Sequence, residues 1–244
     1  MKLLILLINL DRSTERLASA KAQFDKVGWR FERVTAIVPD VVDSHPEFDP
    51  KRFRWLHRRM IQKGELGCAL SHKRCLEKFL STDEDHCIVF EDDICFDEQT
   101  RPTIQEALKW LDAHPDINWQ CINLSSAYAK RYKDLTMIEG RKLRRSWQFP
   151  MLASALLWNR RGAAAFLSYL KQQLIFAPVD NQLRYLLART GQGMSFDIPP
   201  VGLTYVKSDI GSDRVADGGT KNDWRNLQRR VPVYGWALWN SLWR

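Results

Sequence analysis

An apolar run, Ile88-Val89-Phe90, delivers three consecutive carboxylates, Glu91, Asp92 and Asp93. Acids packed this closely repel one another unless a cation or donor groups sit nearby, and hard oxygen ligands suit magnesium or manganese. An ion held there could in turn hold a diphosphate. If the run is a strand, alternation sends Glu91 and Asp93 to one face and Asp92 to the other. The carboxyl end of a strand is also where open α/β sheets place ligands. A solvated acidic turn capping the next helix remains the plainer alternative on these residues alone.

Cys68, His72 and Cys75 form a second constellation, at helical spacing on one face and with ligand types that zinc accepts. A fourth ligand is not evident. Cys and His on a short helix more often point inward, so core packing with a hydrogen-bonded His72 is preferred over zinc.

The elements that must position these groups follow from apolar periodicity. Leu3 to Leu10 reads as a buried strand closed by Asp11, and Ser13 to Val27 as a helix through Leu17, Ala20 and Phe24, followed by Gly28. With Trp29 to Ile37 as the next strand, they suggest a parallel β-α-β opening. Pro39 to Pro50 is polar, and the basic, aromatic stretch from Arg52 to Lys63 reads as an irregular excursion. Helices are expected over Gly67–Leu80, Pro102–His114, Arg161–Leu170 and Val179–Leu187. Strands are expected over His86–Glu91, Trp119–Leu124 and Met151–Trp158, with Lys130 to Arg145 an exposed hairpin or loop.

The chain has 244 residues, 45% hydrophobic and 27% charged, which suits one substantial core and excludes disorder as the main state. A mean hydropathy of -0.38, with charges interrupting every apolar run, leaves no transmembrane helix. Net charge is +8, favouring an anionic partner without choosing among nucleic acid, phospholipid, lipopolysaccharide phosphates and nucleotide diphosphates. An odd count of 5 Cys reads as reduced thiols in a cytoplasmic protein. The apolar start could pass for a signal peptide with Ala18-Ser19-Ala20 as cleavage site, but Asn9, Asp11, Arg12, Glu15 and Arg16 intervene, so a buried strand is the better reading.

Gly64-Glu65-Leu66-Gly67-Cys68-Ala69-Leu70-Ser71-His72 followed by Val89-Phe90-Glu91-Asp92-Asp93, in this order and spacing, resembles glycosyltransferase family 25. The opening Ile8-Asn9-Leu10-Asp11-Arg12-Ser13-Thr14-Glu15-Arg16-Leu17 is similar to that family's start, and Pro178-Val179-Asp180 and Ser208-Asp209-Ile210 to its later, looser signatures. The resemblance implies a GT-A-like nucleotide-sugar-binding α/β fold, with a mixed, mostly parallel central sheet flanked by helices over 1–220. It also implies an inverting transferase of lipopolysaccharide or lipooligosaccharide biosynthesis, commonly using UDP-galactose. On that resemblance Asp93 holds the metal, manganese or magnesium, and Glu91 or Asp92 meets the ribose or a metal water. It brings Glu65, Ser71 and His72 close to the donor, with Asn9 and Arg12 near its base and phosphates. Asp180 becomes the candidate base, though an N-cap role competes, and Arg12 could equally be a surface residue. No histidine follows His114, so a late metal ligand must be an acid such as Asp209 or Asp213.

The segment 221–244 is basic and Trp-rich, with Lys221, Arg225, Arg229, Arg230 and Arg244 among Trp224, Tyr234, Trp236, Trp239 and Trp243. Trp and Arg favour a membrane interface, so peripheral association with the anionic inner face of the cytoplasmic membrane is one expectation. Packing onto the domain, or a dimer contact, is the other, and Pro232 with Gly235 argues against one long amphipathic helix. Two further classes compete with an enzyme: an inactive relative that binds sugars, and a basic nucleic-acid-binding module. No nucleic-acid recognition motif is present, so nucleic acid is not an expected partner.

Overall fold

The computed structural model describes residues 2–204 and 224–243, the side chains of 224–229 excepted; Asp209, Asp213 and the expected boundary at 220/221 lie outside the described residues. The apolar opening forms β1 (Leu3–Asn9), whose last five residues are buried. Its alternating side chains feed two cores, Leu6 and Ile8 on one face, Ile5 and Leu7 on the other. Alongside it in parallel lies β3 (His86–Glu91), which divides likewise: Cys87 and Val89 join the first core, Ile88 and Phe90 the second. A strand covered on both faces needs such a continuous apolar run, and each large side chain buried there contributes roughly 2 kcal/mol.

The first core is roofed by α2 (Pro50–His57), α3 (Lys63–Leu80), α5 (Arg160–Gln173) and α6 (Val179–Thr190), the second by α1 (Thr14–Lys26) and α4 (Thr100–Ala113). From β1 the chain crosses through α1 to β2 (Glu32–Thr35), paired in parallel, giving the expected β-α-β opening. The remaining strands are β4 (Ile94–Phe96), β5 (Cys121–Asn123), β6 (Tyr132–Ile138), β7 (Arg141–Ser146), β8 (Ala155–Asn159), β9 (Gly193–Phe196) and β10 (Val201–Leu203). The main sheet runs β2-β1-β3-β8-β5-β9-β7-β6, while β4 and β10 make a small antiparallel pair. Among the described residues only β8 and β7 run against the rest of the main sheet, so it is mixed and mostly parallel in direction. Of the expected exposed hairpin or loop, the hairpin forms as β6–β7, turned by Glu139 and Gly140 at φ 47 and 74, but β7 is not exposed: it pairs with β9 in the main sheet and buries Leu143 and Ser146.

Two other expectations fail. Within Arg52 to Lys63, expected to be irregular, the chain forms most of α2. Asp49 caps the helix, its Oδ1 accepting the Arg52 N–H at 2.9 Å, Pro50 sits at its start, and Phe53 and Leu56 turn inward. Pro232 and Gly235 do not prevent a single helix: α7 (Trp224–Trp243) runs through both. Val233, Ala237 and Asn240 are buried, and Val233 packs with Leu56, Tyr185 and Ala188. Asn240 Nδ2 also donates to the Ala188 carbonyl at 2.8 Å, near the C-terminus of α6. Tertiary packing of this kind outweighs the loss of one backbone N–H at Pro232.

Candidate active site

Strand β3 ends at Glu91, and Asp92-Asp93 turn the chain into β4. Glu91 and Asp92 face opposite ways, as alternation leads one to expect. Asp92 is 9% exposed and turns toward α1: Arg16 Nε donates to its Oδ1 at 2.8 Å and Asn9 Nδ2 to its Oδ2 at 2.6 Å. Its charge is thus committed to tying β1, α1 and β3 together.

Glu91 turns the other way, toward α3. His72 Nε2 lies 3.2 Å from its Oε1, and Cys68 Sγ donates to the same oxygen at 3.3 Å. Burial pushes Glu91 up, but His72, Cys68 and Arg16 outweigh it and hold the carboxyl below the ordinary glutamate value. The Cys68 thiol is driven well up, by burial first and then by the Glu91 charge.

The Gly-Cys-x-x-Ser-His motif accounts for this placement, because its residues fall on two adjacent stripes of α3. Gly67 and Ser71 face the chain leaving β2: a Cβ on Gly67 would meet the Ile37 carbonyl oxygen at 2.3 Å, and Ser71 Oγ accepts the Ile37 N–H at 2.8 Å while donating to the Gly67 carbonyl. Cys68 and His72, one position on, are thereby set against Glu91. Ser71 is fully buried and acts in seating the helix. Cys75 lies in the core, where burial pushes its thiol up to about 12. All five cysteines are free.

Asp93 has an Oδ1 that is buried and without a hydrogen-bond partner. Burial, then the Glu91 charge, push this carboxyl up to about 6, against a partial offset from Arg16, whose Nη2 lies 3.9 Å from Oδ2. Asp180 completes the cluster from the first turn of α6. Pro178, not Asp180, occupies the N-cap position. Asp180 Oδ1 accepts the Asn181 N–H at 2.7 Å and the Leu152 peptide lies near enough to favour its charged form, but burial outweighs both and raises the carboxyl above the ordinary aspartate value. Leu152 is held at φ 74, and its carbonyl accepts from Asn123 Nδ2 at 2.7 Å. A non-glycine residue in that region costs on the order of 1 kcal/mol and persists where its surroundings fix it.

These groups fit a divalent cation: Glu91 and Asp93 offer hard oxygens, one of them buried and unpartnered. Cys68, His72 and Glu91 make a softer set, their ligand atoms within 4.8 Å of one another.

The other sequence candidates lie in different settings. Asn9 is 2% exposed, its amide engaged with Asp92, with the Ser13 carbonyl and with Arg33. Glu65 Oε2 accepts the Gln62 N–H at 3.0 Å at the start of α3, and the carboxylate forms a two-pronged pair with Arg59, both contacts at 2.6 Å, so it is spent on the helix N-terminus. Arg12 is exposed in the turn after β1. The arginine that reaches the acidic strand end is Arg16, one helical turn further on; its i+4 relation to Arg12 was the available signal. Arg184, four residues after Asp180 on the expected helix, carries a signal of the same kind, whereas Gln148 and Leu152 carry none, because they meet the neighbourhood of Asp180 only through the fold.

The sequence profile of glycosyltransferase family 25, described as an LPS biosynthesis protein family, matches residues 3–182. A glycosyltransferase 25 family member from Anopheles gambiae is 34% identical over 99 residues, 38% of this chain and 17% of that protein. Its counterpart from Aedes aegypti is 31% identical over 124 residues, 48% of this chain and 20% of that protein. The matched segments thus span a fifth or less of these relatives. Among solved structures, S. aureus TarS 1–349 aligns over 84% of this chain and 60% of that one at 9% identity and a TM-score of 0.45. A glycosyltransferase involved in glycosylation of the PBCV-1 major capsid aligns over 95% of this chain and 100% of that one, at 10% identity and a TM-score of 0.40. With its motifs seated around β3 and the profile covering most of its length, the chain belongs to glycosyltransferase family 25.

Proposed function

We propose that this chain is a GT-A-like, nucleotide-sugar-dependent transferase. On this reading it moves a hexose, galactose by family tendency, from a UDP-sugar to a sugar of a lipooligosaccharide or lipopolysaccharide core, with inversion. The observation that carries the reading is the pair Glu91 and Asp93 at the carboxyl end of β3, Asp93 Oδ1 buried and unpartnered, with Asp180 near enough for its charge and that of Glu91 to interact. Asp93 and Glu91 would hold a divalent cation, manganese or magnesium, which when bound supplies compensation for charge on the departing diphosphate. His72 and Cys68 orient Glu91 by hydrogen bonding to one of its oxygens, and Arg16 tempers the remaining negative charge. Asp180 takes the proton of the acceptor hydroxyl as that oxygen bonds to the anomeric carbon and the bond to UDP breaks. Burial suits it to that task, because a carboxylate raised above its usual value holds a proton more strongly.

Calorimetric titration of UDP and UDP-galactose, with and without manganese, tests the donor site. Metal-dependent binding that Asp93→Asn removes is the expected result. Metal-independent binding that survives in Asp93→Asn would overturn the assignment.

The outer face of α7 supports the membrane side of the reading. Val231, Leu238, Trp239, Leu242 and Trp243 are exposed and follow helical spacing, opposite buried Val233, Ala237 and Asn240. Tryptophans on such a face, in a chain of net charge +8, suit an anionic lipid surface. Among the described residues no helix is long and apolar enough to cross a membrane. We take the chain to sit peripherally on the inner face of the cytoplasmic membrane, beside a lipid-anchored acceptor.

A further inference from the structure

Beyond Asp180 along α6 lies a cavity of about 340 Å³, of a size for one or two sugar rings, walled by α6, α7 and the segments at 128–130 and 148–151. Asn181 lines it directly after Asp180, and Arg184 follows one turn on, close enough to Asp180 for their charges to interact. Lys130 and Arg230 also line it, and no Asp or Glu does among the described residues.

Two polar groups in this wall are incomplete. Arg184 Nε donates to the Phe149 carbonyl at 2.6 Å, but its Nη2 is buried and has no partner. Gln148 is 4% exposed, and its Oε1 has no partner either, while the side chain also meets Tyr234. Buried polar groups are nearly always paired, and an orphaned guanidinium nitrogen is among the costlier exceptions. A hydroxyl donating to Gln148 beside an anionic oxygen accepting from Arg184 would complete both. Tyr234, with Lys130 over its ring at 5.7 Å, adds an aromatic face of the kind a sugar ring lies against.

The geometry points to this cavity as the acceptor subsite, selecting an acceptor sugar that carries an acidic group, phosphate or carboxylate, read by Arg184 with Lys130 and Arg230. This rests on the transferase reading above, since it is Asp180 as base that makes the adjoining cavity the acceptor's.

The test is ligand-observed NMR with glucose 6-phosphate, glucuronate and uncharged glucose, without and then with saturating UDP and manganese. One or both acidic sugars should bind at least tenfold more tightly than glucose, and whichever binds identifies phosphate or carboxylate as the group read. Arg184→Gln should remove that preference. Because Arg184 also holds the Phe149 carbonyl, Lys130→Gln/Arg230→Gln serves as a second variant and should weaken acidic-sugar binding severalfold, with a steep dependence on salt. Equal binding of the three sugars, displacement of the acidic sugar by UDP, or indifference to both variants would overturn the proposal. A separate UDP titration reports on the transferase reading: a chain that binds acidic sugars but not UDP would keep the cavity and lose the enzyme.

Discussion

Gly67 on α3 lies so close to Ile37 that a methyl group at its Cα would stand 2.3 Å from the Ile37 carbonyl oxygen. Helix propensity favours Ala at this helical position by about 1 kcal/mol, but the obstacle is backbone that a side-chain rotation cannot clear. Gly67→Ala should therefore destabilise the protein by about 2 kcal/mol in urea unfolding and loosen Cys68 and His72 from Glu91. A more stable Gly67→Ala protein would show that α3 is not seated on Ile37.

Asp92 and Arg16 make a second structural test. The Asp92 carboxylate is nearly buried and is served by Arg16 and Asn9. Arg16→Met strands that charge and should cost about 3 kcal/mol, while Arg16→Met/Asp92→Asn should recover a good part of the loss. Chemical denaturation of the four proteins of the cycle measures the coupling. Additive losses would mean that the pair contributes nothing as a pair.

Asp93 gives a prediction with opposite signs for stability and function. Its carboxyl is raised from 3.8 to about 6, so the folded state holds a proton that the unfolded chain has released. The associated stability is complete below about pH 4 and lost as pH rises through about 6. Ionisation of the folded site above that range costs up to about 3 kcal/mol, so Asp93→Asn should be more stable than the parent at pH 8 and not at pH 3.5. Metal-dependent UDP binding, which needs the anion, should rise with pH through the same range and vanish in Asp93→Asn. Thermal melts at the two pH values and a pH series of titrations check both halves.

Vesicle flotation addresses α7. Trp239→Ser/Trp243→Ser should reduce partition onto anionic vesicles at least tenfold and leave metal-dependent UDP binding unchanged, since neither side chain touches the β3 cluster. Partition equal to that of the parent would remove α7 from membrane contact, and parent partition equal on neutral and anionic vesicles would remove the part assigned to charge.

The legible parts of the fold were those written in local periodicity. β1, α1, β3 and the β6–β7 hairpin are visible as apolar runs, a 3.6-residue stripe and a turn pair, and the opposite facing of Asp92 and Glu91 follows from alternation alone. α2 was missed although Asp49-Pro50 announces it, because its basic surface residues masked two inward side chains. α7 was missed because packing against α6 overrides a proline that propensity alone would not admit. Of the site, the acids and the Gly-Cys-x-x-Ser-His motif could be picked out, but residue type did not separate structure from chemistry. Glu65, Ser71 and Asn9 carry the functional groups of a binding site and spend them on caps and helix seating. Arg184 could be reached only as the residue one turn after Asp180, and Gln148 not at all, for the two come together from segments far apart in the chain.

The left-handed Leu152 peptide, its carbonyl held by Asn123 at the end of β5 and its dipole acting on Asp180, sets the surroundings of the proposed base from the central sheet as well as from its own helix. An acid placed in this way, with Asn181 N–H on its Oδ1, has fewer rotamers to search when substrate arrives. The orientational entropy of aiming it is surrendered during folding, and each turnover begins with that part of the barrier already removed.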